Sequence, residues 1–340
     1  MQRVIPSLSL FLLAPLVAEF LLGNLPITAM STLVLLAPLY GGGALLIREA
    51  VRHTGRGWPS ILMLALAYGV FEEGIVTMSL FNPNYAGLRL LDFGYFEWLG
   101  IGVPWTVLVL TLHVVWSISV PIATVEALFP ERRTTPWLGW IGLSLTMLVF
   151  LIGAVAMTAI SVAQFQFVAA IPQLIASGAI AAVLVAVGLG AVPRRTATAP
   201  ATDPAVHGQA PSPWFVGVAA FAASSAFKVL PLDWAPWPYV SLALSLALLA
   251  LLSVSAWSQW QGWGDEHRLA LAAGPLLTYA WSAFPQPPVL PASPTEDLIG
   301  NATFAAATVA LIVAASVRLH RRPNDLSRAA REPQATSRAA

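Results

Sequence analysis

The chain has 340 residues, 57% of them hydrophobic and 10% charged, with a formal net charge of +1 and a mean hydropathy of +0.74. Soluble domains carry about 25% charged residues, so a water-soluble globule is excluded, and a near-neutral chain has no field to draw nucleic acid. Without cysteine, disulfides, thiolate metal sites, iron–sulfur clusters and a cysteine nucleophile are excluded together.

Apolar blocks long enough to cross about 30 Å of hydrocarbon recur along the chain. They predict an all-α, polytopic integral membrane protein of about ten transmembrane helices. The first six spans fall near 5–22, 27–47, 59–81, 100–125, 137–158 and 167–192. The first has the charged start of a signal peptide but no small-x-small cleavage site, and reads as a retained helix. Four more spans fall near 214–230, 237–257, 269–284 and 301–319. Between the two sets, 193–213 is rich in Pro, Ala and Thr and reads as a flexible cytoplasmic linker. The organisation is therefore a membrane half 1–192, the linker, a second membrane half 214–319, and a polar, Arg-rich, disordered tail 320–340. The second half repeats neither the Glu-Glu-Gly stretch of the third span nor the histidine of the fourth, so no inverted repeat of the transporter kind is evident.

Orientation follows the arginines. With the N-terminus cytoplasmic, every basic residue except Arg89 and Lys228 falls in a cytoplasmic segment or the tail, as the positive-inside bias requires. Both termini are then cytoplasmic and the protein is a multi-pass protein of a bacterial plasma membrane, with the lipid bilayer as its first partner. Trp58, Trp98, Trp137, Trp140, Trp214 and Trp237 lie at or near span ends, where indole favours the headgroup boundary. Glu19 and Glu126, near span ends, read as snorkelling. Arg48–Trp58 reads as an orientation signal, and His53, His207, His267 and His320 as solvated.

One stretch does not suit a bilayer. In YGVFEEGIVTMSLFNPNY, Glu72 and Glu73 lie about 20 Å along the third span from Trp58 at 1.5 Å per residue. An ionised carboxylate there costs about 2.5–3.5 kcal/mol, so the pair must face protein, water, a proton or a cation. Ala65, Gly69 and Glu73 recur at four-residue spacing, a ridge that lets another helix approach. Pro83 breaks the helix and leaves Asn82 beside the pair as a stabilising donor. On the fourth span Thr106, His113, Ser117 and Thr124 fall within about 20° of one another, a polar stripe on an apolar helix. The depth of His113 matches that of the glutamates, making it their ion-pair partner, a proton relay or a metal ligand.

These residues resemble the CPBP family of intramembrane proteases, which includes the CAAX-processing enzymes and bacterial Abi proteins. Its motifs are Glu-Glu-x-x-x-Arg on one span, Phe-x-x-x-His on a later one, and a third His-x-x-x-Asn/Asp. Similarity places Glu72 and Glu73 on the first and His113 on the second. Thr77 stands at the arginine position, Val109 at the phenylalanine position, and the fifth and sixth spans carry no histidine. The resemblance implies a hydrolytic water among Glu72, Glu73 and His113, and a divalent metal such as zinc with Glu73 and His113 as ligands. The expected catalytic set is Glu72, Glu73, His113 and Asn82, acting on a membrane peptide. The residues themselves equally allow a proton- or cation-coupled carrier of a small solute, or polar groups that only lock helices together.

Overall fold

A computed structural model describes residues 4–194, 208–232 and 235–336, with the side chains of the last helix as far as Arg321. Of the predicted linker, 195–207 lies outside the described residues, as does the end of the tail, 337–340. Each predicted span coincides with a helix. The first six are α1 (Val4–Leu21), α2 (Ile27–His53), α3 (Trp58–Val76), α4 (Val103–Leu128), α5 (Trp140–Phe165) and α6 (Ile171–Ala191). Then come α7 (Pro213–Val229), α8 (Pro236–Trp257), α9 (Asp265–Ser282) and α10 (Pro294–Thr336). Eight are long and apolar enough to cross a membrane; α7 is shorter, and α9 starts on charged residues. The protein is thus an all-α, multi-pass membrane protein, with one two-residue hairpin, β1 (Tyr95–Phe96) and β2 (Ile101–Gly102), between α3 and α4.

Local sequence accounts for the helix ends. Ser293-Pro-Thr-Glu296 starts α10 with a reciprocal cap, Glu296 N–H to Ser293 Oγ at 3.2 Å and Ser293 N–H to Glu296 Oε2 at 2.8 Å. α3 stops at Val76, short of the expected 81. Thr77 Oγ1 sits 3.1 Å from the Glu72 carbonyl and Met78 turns left-handed at φ 56°, so the helix ends before Pro83 can break it. The tail, expected to be disordered, continues helical in its backbone to Thr336; its alanines and arginines are strong helix formers.

Each of the first four helices contains a π-helical segment: Leu16–Leu21, Ala37–Gly41, Glu72–Val76 and His113–Ser119. Proline explains three of them. Pro15, Pro38 and Pro121 lack an N–H and crowd the carbonyl four residues back, which widens the adjacent turn. Gly41 fits against the carbonyl of Phe11, the one that Pro15 leaves without its helical partner; a Cβ there would come within 1.9 Å of that oxygen.

α1–α4 share a core of Leu10, Phe20, Leu39, Ile61, Ile118 and Ile122. A second core joins α4 to α7–α9 through Trp116, Tyr239, Leu276 and Tyr279. α5, α6 and α8 present exposed apolar side chains outward, including Ile141, Val155, Ile175 and Leu249, as lipid-facing helices do. Trp140, Trp214 and Trp237 are exposed at helix ends, as expected of interface anchors, and Trp98 is exposed in the hairpin turn; Trp137 instead is buried at 1% exposure.

Candidate functional site

The π-helical turns of α3 and α4 bring the expected residues together. His113 Nε2 lies 2.7 Å from Glu73 Oε1 and 2.8 Å from Glu72 Oε2. All three residues are buried. Close approach of the helices depends on Gly69, one turn before Glu73, where a Cβ would meet the His113 Cβ at 3.1 Å. The small-residue ridge read from the sequence thus carries the fourth helix.

The two carboxylates are not equivalent. The shorter contact of Nε2, 2.7 Å, is to Glu73 Oε1, and a neutral imidazole has one N–H to give. Glu73 is further held through Oε2 by the hydroxyls of Thr77, at 3.1 Å, and Ser79, which in turn accepts from Trp105 Nε1 at 3.2 Å. Glu72 Oε2 stands 2.8 Å from the same Nε2. Glu72 Oε2, His113 Nδ1 and Tyr68 Oη are all buried without a hydrogen-bond partner among the described residues. Buried polar atoms are rarely left so, and two carboxylates facing one imidazole leave the group short of positive charge.

Asn82 is also buried. Its Oδ1 accepts from the Asn84 N–H at 3.0 Å and stabilises the turn after α3. Proximity in sequence pointed to it; the left-handed Met78 redirects the chain before it. Ser117 and Thr124 of the polar stripe are buried and Thr106 half-buried. Thr106 and Thr124 return their hydroxyls to the carbonyls four residues back, those of Gly102 and Val120.

Of the other groups around His113, Tyr40 and Glu19 were not anticipated. Tyr40, on the π segment of α2, stacks on His113 with centroids 6.0 Å apart. Tyr68 meets the same ring edge-on at 5.7 Å. Glu19, read as snorkelling, accepts the Tyr40 hydroxyl at 2.6 Å. The available signal was Tyr68 one turn before Glu72, and proline-marked bulges in α1 and α2. The segment Arg48–Trp58, read as an orientation signal, also packs inside the protein. Arg48 and Glu49 are fully buried, and Arg48 and Arg52 both bind Glu126. His267, expected to be solvated, is buried, stacks on Trp263 and accepts the Gly264 N–H through Nδ1 at the start of α9.

One ligand atom from each of Glu72, Glu73 and His113 lies within 4.8 Å of the others. Two carboxylate oxygens and one imidazole nitrogen facing one point are the donor set of an open three-ligand site. Ligand atoms about 2.0–2.1 Å from a tetrahedral zinc stand roughly 3.3 Å apart. The observed 2.7 and 2.8 Å therefore need only a slight opening and loss of the Nε2 proton. The residues fit a divalent cation.

The model of an uncharacterized membrane protein family matches residues 8–187. That is more than half of the chain, which therefore belongs to this family. The matched segment holds Glu19, Tyr40, Tyr68, Glu72, Glu73 and His113. No curated protein and no solved structure matches the chain.

Proposed function

We propose that Glu72, Glu73 and His113 form the active centre of a membrane-embedded hydrolase that cleaves an amide bond in a bilayer-resident peptide. The observation that carries this reading is the asymmetry of the pair: Glu73 is anchored by His113, Thr77 and Ser79, whereas Glu72 Oε2 is buried and receives no hydrogen bond. An oxygen so placed is a general base. Glu72 takes a proton from water, whose oxygen adds to the scissile carbonyl, and gives that same proton to the departing amine as the C–N bond breaks; His113, fixed by Glu73, lies 2.8 Å from the Glu72 carboxylate and holds it in place. Tyr68 Oη, also without a partner, takes the oxyanion-donor role expected of Asn82. Glu72, Glu73 and His113 would hold a divalent cation, which when bound supplies Lewis-acid polarisation of the carbonyl.

The resemblance to the CPBP proteases supports the same roles. Thr77, at the arginine position, binds Glu73, so the second glutamate keeps a partner from one turn onward. Glu72 is only 2% exposed, so a substrate reaches it after neighbouring helices part, and the π-helical turns are where such motion is easiest. The distribution of arginines supports an orientation with both termini in the cytoplasm of a bacterial cell.

Turnover of a fluorogenic peptide by the protein in liposomes, compared with Glu72→Gln, Glu73→Gln and His113→Ala, tests this. Loss in all three is expected; unchanged turnover in all three ends the reading. A carrier of protons or cations is the second reading, favoured by the sealed pair and by the excess of carboxylates over imidazole. It requires ion-dependent uptake into liposomes that Glu72→Gln abolishes, without chemical change in the solute.

A further inference from the structure

The polar contacts around His113 extend into the second half of the chain. Tyr40, its ring 22° from parallel with the imidazole, donates its hydroxyl to Glu19 Oε1 at 2.6 Å. The other oxygen of Glu19 accepts from Asn24 Nδ2 at 3.1 Å. Asn24 Oδ1 accepts from Gln286 Nε2 at 2.5 Å, and Gln286 Oε1 accepts from Lys228 Nζ at 3.0 Å. Every donor in this chain points toward Glu19. Two amides in series conduct no proton, but they fix orientation and join an ammonium to a carboxylate.

We propose that Glu19 and Tyr40 are positioning residues for His113, and that the second half of the chain sets their orientation through Lys228 and Gln286. His113 needs such support. Its Nδ1 has no hydrogen-bond partner, so on that side no hydrogen bond fixes the ring. Its plane is set by Tyr40 on the face and Tyr68 at the edge. Tyr40 is itself turned by the bond to Glu19, and Glu19 by Asn24. Lys228 ends α7, where the helix dipole favours a cation, and Gln286 follows α9. Both lie beyond the segment that the family model matches. The second half is keyed to the His113 segment a second time, since Trp116 donates to the Pro275 carbonyl at 2.9 Å and stacks on Tyr279 at 4.5 Å.

The test is nitrogen NMR of the full chain in lipid bilayers with ¹⁵N-labelled histidine, the His113 signals being those lost in His113→Gln. Glu19→Gln and Tyr40→Phe, which change little in shape, are expected to move both His113 ring resonances. Lys228→Met moves them less, and Lys228→Arg restores them. A merely structural role would lower the melting temperature and leave these resonances in place. Unchanged His113 signals in folded Glu19→Gln and Tyr40→Phe overturn the proposal; movement there with none in Lys228→Met overturns the part assigned to the second half. If Glu19→Gln does not fold, Asn24→Leu interrogates the same chain one link away, with the same two outcomes. No turnover is measured, so this result and the hydrolase result can fail separately.

Discussion

Arg48 and Glu72 sit in neighbouring helices, both buried, yet their surroundings are opposite in kind. Arg48 gives Nη1 to Glu49 at 2.5 Å, Nε to Glu126 at 3.1 Å and Nη2 to the carbonyls of Arg132, Arg133 and Thr135. Its guanidinium lies 3.3 Å over the Trp137 ring. Arg52 grips both oxygens of Glu126 at 2.8 Å, and Glu49 accepts the N–H groups of Trp137 and Leu138. Two arginines thus face two glutamates, and the loop between α4 and α5 is clasped to α2. Around Glu72, two carboxylates face one imidazole, and three buried polar atoms have no hydrogen-bond partner among the described residues. Burial does not distinguish the two groups; completeness does. A satisfied network holds helices in register, and an incomplete one retains capacity for a proton, a cation or a substrate.

If that is the distinction, the two networks respond oppositely to loss of one charge. Arg48→Met strands Glu49 and weakens the hold on Glu126, and breaking a buried pair costs about 3–5 kcal/mol. A large fall in melting temperature in detergent is expected, with loss of yield; a variant that melts with the wild type would show the clasp to be dispensable.

Glu72→Gln should do the reverse. It removes a charge for which the site has no full counterpart, so stability changes by less than about 1 kcal/mol. Turnover falls at least about a hundredfold, the smaller end of what a general base contributes, equivalent to roughly 2.7 kcal/mol. Parallel melting and kinetic measurements on one preparation check both halves of that expectation.

Gly69→Ala probes the spacing on which the centre depends. The added methyl would stand 3.1 Å from the His113 Cβ and 3.2 Å from Leu110 Cδ2, so α4 must shift. About 1–2 kcal/mol is expected from overpacking, with a loss of turnover smaller than that of Glu72→Gln. Thermal melting alongside the turnover assay separates the two effects.

Much of this arrangement was legible in the sequence because hydrophobic length and four-residue spacing are local signals. The spans, the Gly69 ridge and the shared depth of Glu72, Glu73 and His113 belong to that class. What escaped depends on direction rather than depth. Glu19 and Glu126 lie near span ends, and position along a helix does not say whether a carboxylate turns toward water or toward Tyr40 or Arg52. Each π-helical segment also rotates the residues after it relative to an ideal 100° step, which concealed Tyr40. The turn that Asn82 Oδ1 holds was hidden for a related reason: the left-handed Met78 gives no signature in a residue that ordinarily avoids that conformation.

Thr77 marks where the two networks meet in kind, since it is a fully used polar residue inside the incomplete group. Thr77→Val removes one of three groups on Glu73 and leaves His113 and Ser79 in place. The loss of one hydrogen bond costs about 1 kcal/mol, so turnover should fall by less than tenfold and melting should shift by a few degrees at most. Thr77→Ser, which keeps the hydroxyl, should recover most of the difference. A loss as deep as that of Glu72→Gln would mean that Glu73 depends on Thr77 for its orientation and that the asymmetry between the glutamates begins one turn after them. A loss below detection would place the anchoring of Glu73 on His113 and Ser79 alone.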